Sequence, residues 1–313
     1  VEVGSSIDAG PVTTIVGSPV REYGALAKTR AYVALTKPRI IELLLVTTVP
    51  TMFVAAHRLP SFRLVALTVL GGTLAAGGAN AFNMVYDRDI DAVMQRTRGR
   101  PLVTGEVSVA GAVLFAVALE VAAFALLWAQ VNLLSAVLAV SATAFYVGVY
   151  TMWLKRSSTQ NIVIGGAAGA VPVLVGWSAV TDRLGLAPLV LFGIVFLWTP
   201  PHFWALAVRY RDDYRAANVP MLPAVADVRA VVRQIVAYTL ALVALSVVLG
   251  PVAHLGWAYI AVAAVLGTVF LQRCLALRRD PTPKHAMRLF GWSISYLTVL
   301  FVAMGVIAVI QHP

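Results

Sequence analysis

Asn83, Asp87 and Asp91 recur at four-residue intervals within the stretch NMVYDRDIDAVMQRTRGRP, residues 83–101. On a helix, four residues advance the chain by roughly one turn, so these side chains share one face over about 12 Å. Asn80 extends the same stripe. Oxygen ligands converging in this way suit a hard cation, and Mg2+ characteristically takes one or two carboxylates together with substrate phosphates and water. Asp89 falls off the stripe and reads as a solvated side chain. The competing reading of the whole stretch is the solvated end of a helix, where acids and bases interleave.

Arg96, Arg98 and Arg100 follow within ten residues of Asp91. Guanidinium groups bind phosphate oxygens in pairs. Carboxylates for a divalent ion beside arginines for phosphate together describe a site for a diphosphate–Mg2+ complex. The stretch YTMWLKRSSTQN adds Lys155 and Arg156, which fit equally well as positive anchors at a helix end. In WTPPHFWALAVRYRDDYRAANVPMLP, residues 198–223, Asp212 and Asp213 stand beside Arg209, Arg211 and Arg215. Upstream of them, Pro200 and Pro201 are expected to kink a helix and free carbonyl groups. His202 follows directly. An ionisable group at membrane depth is a functional candidate, and the alternative is a neutral imidazole that satisfies the broken helix.

The elements that must position these residues are set by composition. The chain is 60% hydrophobic, with mean hydropathy +0.84, beyond the usual range of soluble domains. Apolar runs of the length needed to cross a bilayer fall at 39–58, 62–86, 106–128, 131–152, 160–180, 186–209, 228–250, 252–274 and 287–310. Backbone groups in lipid must bond within their own segment or in a closed barrel, and no run alternates as a barrel strand would. The expected fold class is all-α: a polytopic membrane protein with nine transmembrane helices over residues 31–313, preceded by a flexible cytoplasmic tail, 1–30.

A net charge of +10 could suggest nucleic acid, but its distribution excludes that reading. With nine spans, all but three of the 24 Lys and Arg residues lie in or beside the loops on the N-terminal side; the exceptions are Arg58, Arg63 and Arg183. Basic loops stay in the cytoplasm, so the N-terminus is expected inside and the C-terminus outside, in the cell membrane. The acidic clusters follow the second and sixth spans and so share the cytoplasmic face. Glu42 is expected to pair with neighbouring bases, whereas Glu120, inside the third span, has no partner that the sequence can name. His57, His254, His285 and His312 show no metal-ligand spacing. The single cysteine, Cys274, reads as a packing residue, and Trp128 and Trp153 as interfacial anchors.

At these residues the chain resembles the UbiA-type intramembrane prenyltransferases, whose first aspartate-rich motif matches Asn83-xxx-Asp87-xxx-Asp91. Five further stretches, TKPRIIELLLVTTVP, NMVYDRDIDAVMQRTRGRPL, LKRSSTQNIVIGGAAGAVPVLVGW, TPPHFWALA and DYRAANVPMLP, are similar to the protohaem IX farnesyltransferases within that group, over about residues 30–310. The second motif of the wider group, DxxxD, is absent: Ala216 and Ala217 stand four residues after Asp212 and Asp213. The resemblance implies transfer of the farnesyl group of farnesyl diphosphate to a vinyl group of haem B, with addition of water, giving haem O. It implies Mg2+ held by Asn83, Asp87, Asp91 and Asp213, and diphosphate held by Arg96, Arg100, Lys155 and Arg156. His202 becomes the candidate for orienting haem. It further implies delivery of the product to haem A synthase or oxidase assembly proteins. A quinone or chlorophyll prenyltransferase would share the first motif but not TPPHFWALA. A secondary transporter would place its charges near the midplane, whereas most charges here line one face.

Overall fold

A computed structural model describes residues 24–311 and, within them, the side chains of all but 39–44. The stretch 1–23, the Glu42 side chain and His312 therefore lie outside the described residues. Long helices run over Pro38–Ala56 (α1), Phe62–Tyr86 (α2), Val109–Gln130 (α3), Leu133–Ser157 (α4), Asn161–Thr181 (α5), Leu186–Arg209 (α6), Val228–Val252 (α7), Gly256–Arg279 (α8) and Pro283–Gln311 (α9). Among the described residues, α2 to α9 are long and apolar enough to cross a membrane, and α1 contributes the shorter apolar stretch Leu45–Ala56. The protein is a multi-pass membrane protein. No strand occurs among the described residues.

Several helices outrun the apolar runs that mark them. The fourth run ends at 152, yet α4 continues to Ser157 with Lys155 and Arg156 in its last turn, and α8 carries Arg278 and Arg279 past the eighth run's end. Cations in a last turn complement the negative end of the helix dipole, so hydropathy alone ends these helices too early. Starts are marked by side-chain caps: Ser61, Ser108, Asn132 and Asp227 accept backbone N–H groups at the heads of α2, α3, α4 and α7. These caps satisfy donors that the helix itself leaves unpaired. A further helix, Ala25–Leu35, begins within the stretch read as tail and buries Ala31 and Leu35.

The helices pack in chain order, α2 on α3, α3 on α4 and so on, and α9 closes the bundle against α1. The apolar windows of α5 and α6 are each 61% buried against 17% for α3, so α5 and α6 are interior and α3 is left to lipid. Close helix approach relies on small residues, as membrane packing requires. A Cβ at Gly176 would stand 2.7 Å from the Thr48 carbonyl oxygen of α1, and one at Gly78 would stand 2.6 Å from Glu120 Oε1 of α3. α6 runs unbroken through Pro200 and Pro201, both buried. Within α4, residues Phe145–Leu154 wind as a π-helix, a form that in most proteins occupies a single turn at functional sites.

Candidate active site

The stripe read from the sequence exists. α2 ends at Tyr86, the backbone of Asp87 leaves helical geometry (φ −84°, ψ 5°), and a short helix Arg88–Val93 follows. Hydrogen bonds nevertheless continue across the junction, from Asp87 N–H to Asn83 C=O at 2.9 Å and from Asp91 N–H to Asp87 C=O at 2.8 Å. The four-residue spacing therefore keeps its facing, and Asn80, Asn83, Asp87 and Asp91 are all buried. Asn83 Nδ2 donates to Asp87 Oδ2 at 2.7 Å and to Thr151 Oγ1 at 3.1 Å. Asn80 instead donates to the Thr36 carbonyl at 2.9 Å and ties the stripe to the chain ahead of α1.

Three basic side chains meet this stripe. Lys155 binds Asp87 Oδ2, Arg100 binds Asp91 Oδ2 at 2.5 Å, and Lys37 donates to Asn83 Oδ1 at 2.6 Å. The π-wound stretch of α4 delivers Lys155, and inside it the Thr151 hydroxyl donates to the Tyr146 carbonyl at 2.8 Å. Lys37 sits in a left-handed backbone conformation (φ 52°) at the head of α1. Burial first, then the charges of Arg100 and Lys155, lower its pKa to about 7. Lys37 is a site residue that the chemical reading of the sequence missed; its only signal was its place in the TKPR stretch.

The second acidic cluster is differently placed. Asp212 is 87% exposed and makes only long ion pairs, at 3.6 Å to Arg211 and 3.5 Å to Arg215. Asp213 is half-buried. The helix Arg211–Ala216 that carries both still approaches the first cluster. Arg96 lies over the Tyr210 ring at 5.8 Å. Burial raises the pKa of Tyr214, and Arg96, close enough to hydrogen-bond it, acts in the opposite direction. A cleft of about 290 Å³ has Asp89, Ile90, Val93 and Arg156 on one side and residues 216–219 on the other. Arg156 grips Asp89 with two 2.7 Å hydrogen bonds, which hold the Asp89 carboxyl down at about 2.

The donor set fits Mg2+ in one respect and limits it in another. Asp87 Oδ1 is buried with no hydrogen-bond partner. An orphaned carboxylate oxygen is costly, and a cation would satisfy it. Among the described residues, however, no three His, Cys, Asp or Glu side chains gather as a metal-ligand group, so Asp213 does not join Asp87 and Asp91 in a carboxylate triad. Two carboxylates with oxygen supplied by a phosphate and by water are the usual Mg2+ arrangement.

His202 belongs to a separate constellation between α6 and α9. Its ring stacks on Trp198 at 4.1 Å and on Phe290 at 4.5 Å, and meets Phe203 edge-on at 5.1 Å. The Ser293 hydroxyl donates to the Phe290 carbonyl at 2.6 Å and so must accept from His202 Nδ1, 2.7 Å away. In its neutral form the ring would then carry its proton on Nδ1 and its lone pair on Nε2. The kink that the sequence suggested is not what His202 satisfies, since its hydrogen bond goes to another helix.

Two further buried polar groups are resolved. Glu120 has a partner after all, as Thr143 donates to Oε1 at 3.0 Å, while Oε2 is unpartnered. Asn161, the first residue of α5, is fully buried with neither amide atom hydrogen-bonded. Chemical reasoning from sequence did not single it out. Cys274 is buried and contacts Thr239 at 3.4 Å, as a packing residue would.

Comparison with known proteins places this geometry. A profile described as the UbiA prenyltransferase family matches residues 44–307. The chain is 51% identical to a protoheme IX farnesyltransferase of Streptomyces avermitilis over 94% of this chain and 98% of the relative. In fold it is similar to a solved digeranylgeranylglyceryl phosphate synthase, with TM-score 0.74 and 17% identity over 90% of this chain and 99% of that one. It is also similar to a UbiA homologue from Archaeoglobus fulgidus bound to GPP and Mg2+, with TM-score 0.61 and 18% identity over 89% and 99% of the two chains.

Proposed function

The chain belongs to the UbiA prenyltransferase family, and from that premise we propose that it joins the farnesyl group of farnesyl diphosphate to a vinyl group of haem B, giving haem O. The likeness to protoheme IX farnesyltransferases runs over nearly the whole chain, which supports haem as the acceptor. The observation that carries the chemistry is the buried stripe itself. Lys155 and Arg100 pair with its two carboxylates and Lys37 reaches Asn83, and one carboxylate oxygen of Asp87 stands ready for a cation.

In the proposed reaction the allylic C–O bond of farnesyl diphosphate breaks and its electron pair leaves with the diphosphate. Asn83, Asp87 and Asp91 would hold Mg2+, which would supply positive charge for that leaving group, while Asp213 stands apart from this pair of carboxylates. Arg100 and Lys155, aimed at the stripe, stabilise the charge developing on the diphosphate oxygens, as preorganised electrostatic catalysis requires. Arg96, which lies over the Tyr210 ring, and Arg156 at the cleft wall would bind the outer oxygens, the latter by loosening its hold on Asp89. The allylic cation is attacked by the terminal vinyl carbon of haem B. Apolar helices keep bulk water from that cation until attack. Water then adds to the porphyrin-side carbocation and loses a proton, leaving a hydroxyethylfarnesyl group. His202 would orient haem through Nε2, by ligating iron or accepting a hydrogen bond.

The charged end of the bundle would face the cytoplasm in the cell membrane, with residues before about 30 as a tail and the product passed to a haem-modifying or oxidase-assembly partner. Labelling of cysteines at Arg98 and Ser157 from the cytoplasmic face only, and at Asp182 from the opposite face only, checks the orientation; reversed labelling overturns it. The deciding experiment is the mass of the product formed by purified protein from haem B and farnesyl diphosphate. Haem B plus one farnesyl group and one hydroxyl is expected; an untouched diphosphate rejects the proposal. His202→Ala should raise the KM for haem B about tenfold, the effect of losing about 1.4 kcal/mol of binding, and leave that for farnesyl diphosphate unchanged. Equal loss of both would make His202 structural.

A further inference from the structure

On the far side of α9 from His202, a groove of about 540 Å³ opens between α8 and α9, lined by Arg273, Arg288, Gly291, Trp292 and Ser295. We propose that this groove is a binding site for the phosphate of an anionic phospholipid, clasped by Arg273 and Arg288.

The position of the two arginines suits a lipid headgroup. α8 continues six residues beyond Arg273 to Arg279, and α9 begins five residues before Arg288 at Pro283. At 1.5 Å per residue, both guanidinium groups start about 8–9 Å inside the helix ends. Arg278, Arg279 and Lys284 lie beyond the apolar runs, in the turns that extend past them. Both arginines therefore stand at the ends of their apolar runs, 252–274 and 287–310, with exposed side chains at the depth of lipid headgroups. Among the described residues, neither Arg273 nor Arg288 makes an ion pair or hydrogen bond, although both line the same groove. An anion is the missing partner.

Two features fit that anion to a lipid. Trp292 lies one turn past Arg288 on the groove's floor, and its indole N–H is buried without an acceptor. Its ring gives the groove an apolar floor beside the two charged donors. The stripe that carries Arg288, Gly291 and Ser295 then continues along α9 as exposed Val299, Val302 and Val306 at helical spacing, and Val265 is exposed on the Arg273 face of α8. A polar head in the groove would thus lay its acyl chains along aliphatic surface. Basic pockets between transmembrane helices are known receptors for anionic lipid headgroups. A free phosphate would use the arginines and leave the aliphatic track unused. A Cβ at Gly291 would meet nothing within 4 Å, so the groove keeps room for a headgroup at that point.

The test uses the full chain in nanodiscs of phosphatidylcholine, with and without phosphatidylglycerol. Phosphatidylglycerol should raise the melting temperature by roughly 4 °C and remain bound in native mass spectrometry. The charge-removing double variant Arg273→Gln/Arg288→Gln should lose both effects and keep its turnover. Gly291→Leu, which fills the groove and touches no charge, should lose them too, and it serves if the double variant does not fold. An undiminished rise in these variants overturns the proposal. A full rise from inorganic phosphate in phosphatidylcholine alone also overturns it, in favour of a free-anion site. A several-fold increase in KM for haem B with lipid retention intact reassigns the groove to the propionates of the acceptor.

Discussion

Two acidic clusters lie at the same end of the bundle, four spans apart, and they are built in opposite ways. Asp87 is fully buried, takes hydrogen bonds from Asn83 and Lys155, and holds one oxygen in reserve. Asp212 is 87% exposed and its nearest cations stand at 3.5 and 3.6 Å. Exposed pairs of that length contribute little, because water screens them. A buried carboxylate is tolerable only when paired and hydrogen-bonded, so the first cluster is prepared ahead of any ligand while the second is left open. The proposed chemistry accordingly rests on the first cluster and gives the second an adjusting role.

The sharpest way to break that contrast is to neutralise the buried side. Asp87→Asn and Asp91→Asn should each lower turnover by on the order of a thousandfold, with helical content retained, in a steady-state assay with circular dichroism as control. Activity within tenfold of the parent would mean that the prepared cluster is only structural. Next in size, Lys155→Gln should cost about a hundredfold and raise the KM for farnesyl diphosphate, because it removes a charge aimed at the leaving group. A loss of melting temperature with an unaltered KM would instead mark Lys155 as a counter-ion alone.

Asp213→Asn tests the open side. A loss of about tenfold, a transition-state cost of about 1.4 kcal/mol, is expected in the assay, with Asp212→Asn close to the parent. A loss from Asp213→Asn equal to that from Asp87→Asn would erase the distinction between the clusters. The smallest effect belongs to Asp89→Asn, whose carboxylate is 65% exposed and off the stripe; turnover should stay within about twofold, since exposed pairs are worth under about 1 kcal/mol. Arg156 lowers the Asp89 pKa from 3.8 to about 2, so that pair's small stabilisation is present above the ordinary value and disappears as pH falls towards 2. Thermal melts between those pH values should differ less in Asp89→Asn than in the parent.

Most of the fold was legible because hydropathy is additive along the chain. The spans, the all-α class and the shared face of Asn83, Asp87 and Asp91 all follow from local spacing. What spacing could not supply was partners from distant segments. Lys37 and Lys155 reach the stripe from sequence separations of 46 and 68 residues, and Thr143 answers Glu120 from the neighbouring helix. The two prolines before His202 suggested a local role for the imidazole, yet its hydrogen bond goes to Ser293, 91 residues away. Helix ends were misjudged where cations extend a helix past its apolar run, as in α4 and α8.

The widened winding of Phe145–Leu154 has a consequence for how this chain tolerates insertions and deletions. Elsewhere in α4, losing one residue would turn everything downstream by about 100° and swing Lys155 away from Asp87. A π-wound stretch is slack: it holds more chain per turn than its surroundings and can shed a residue by tightening to α. The helix can therefore change length at one place without changing where its basic end points. Length variants confined to 145–154 should keep the lysine on its aspartate, whereas the same change at 133–144 should not.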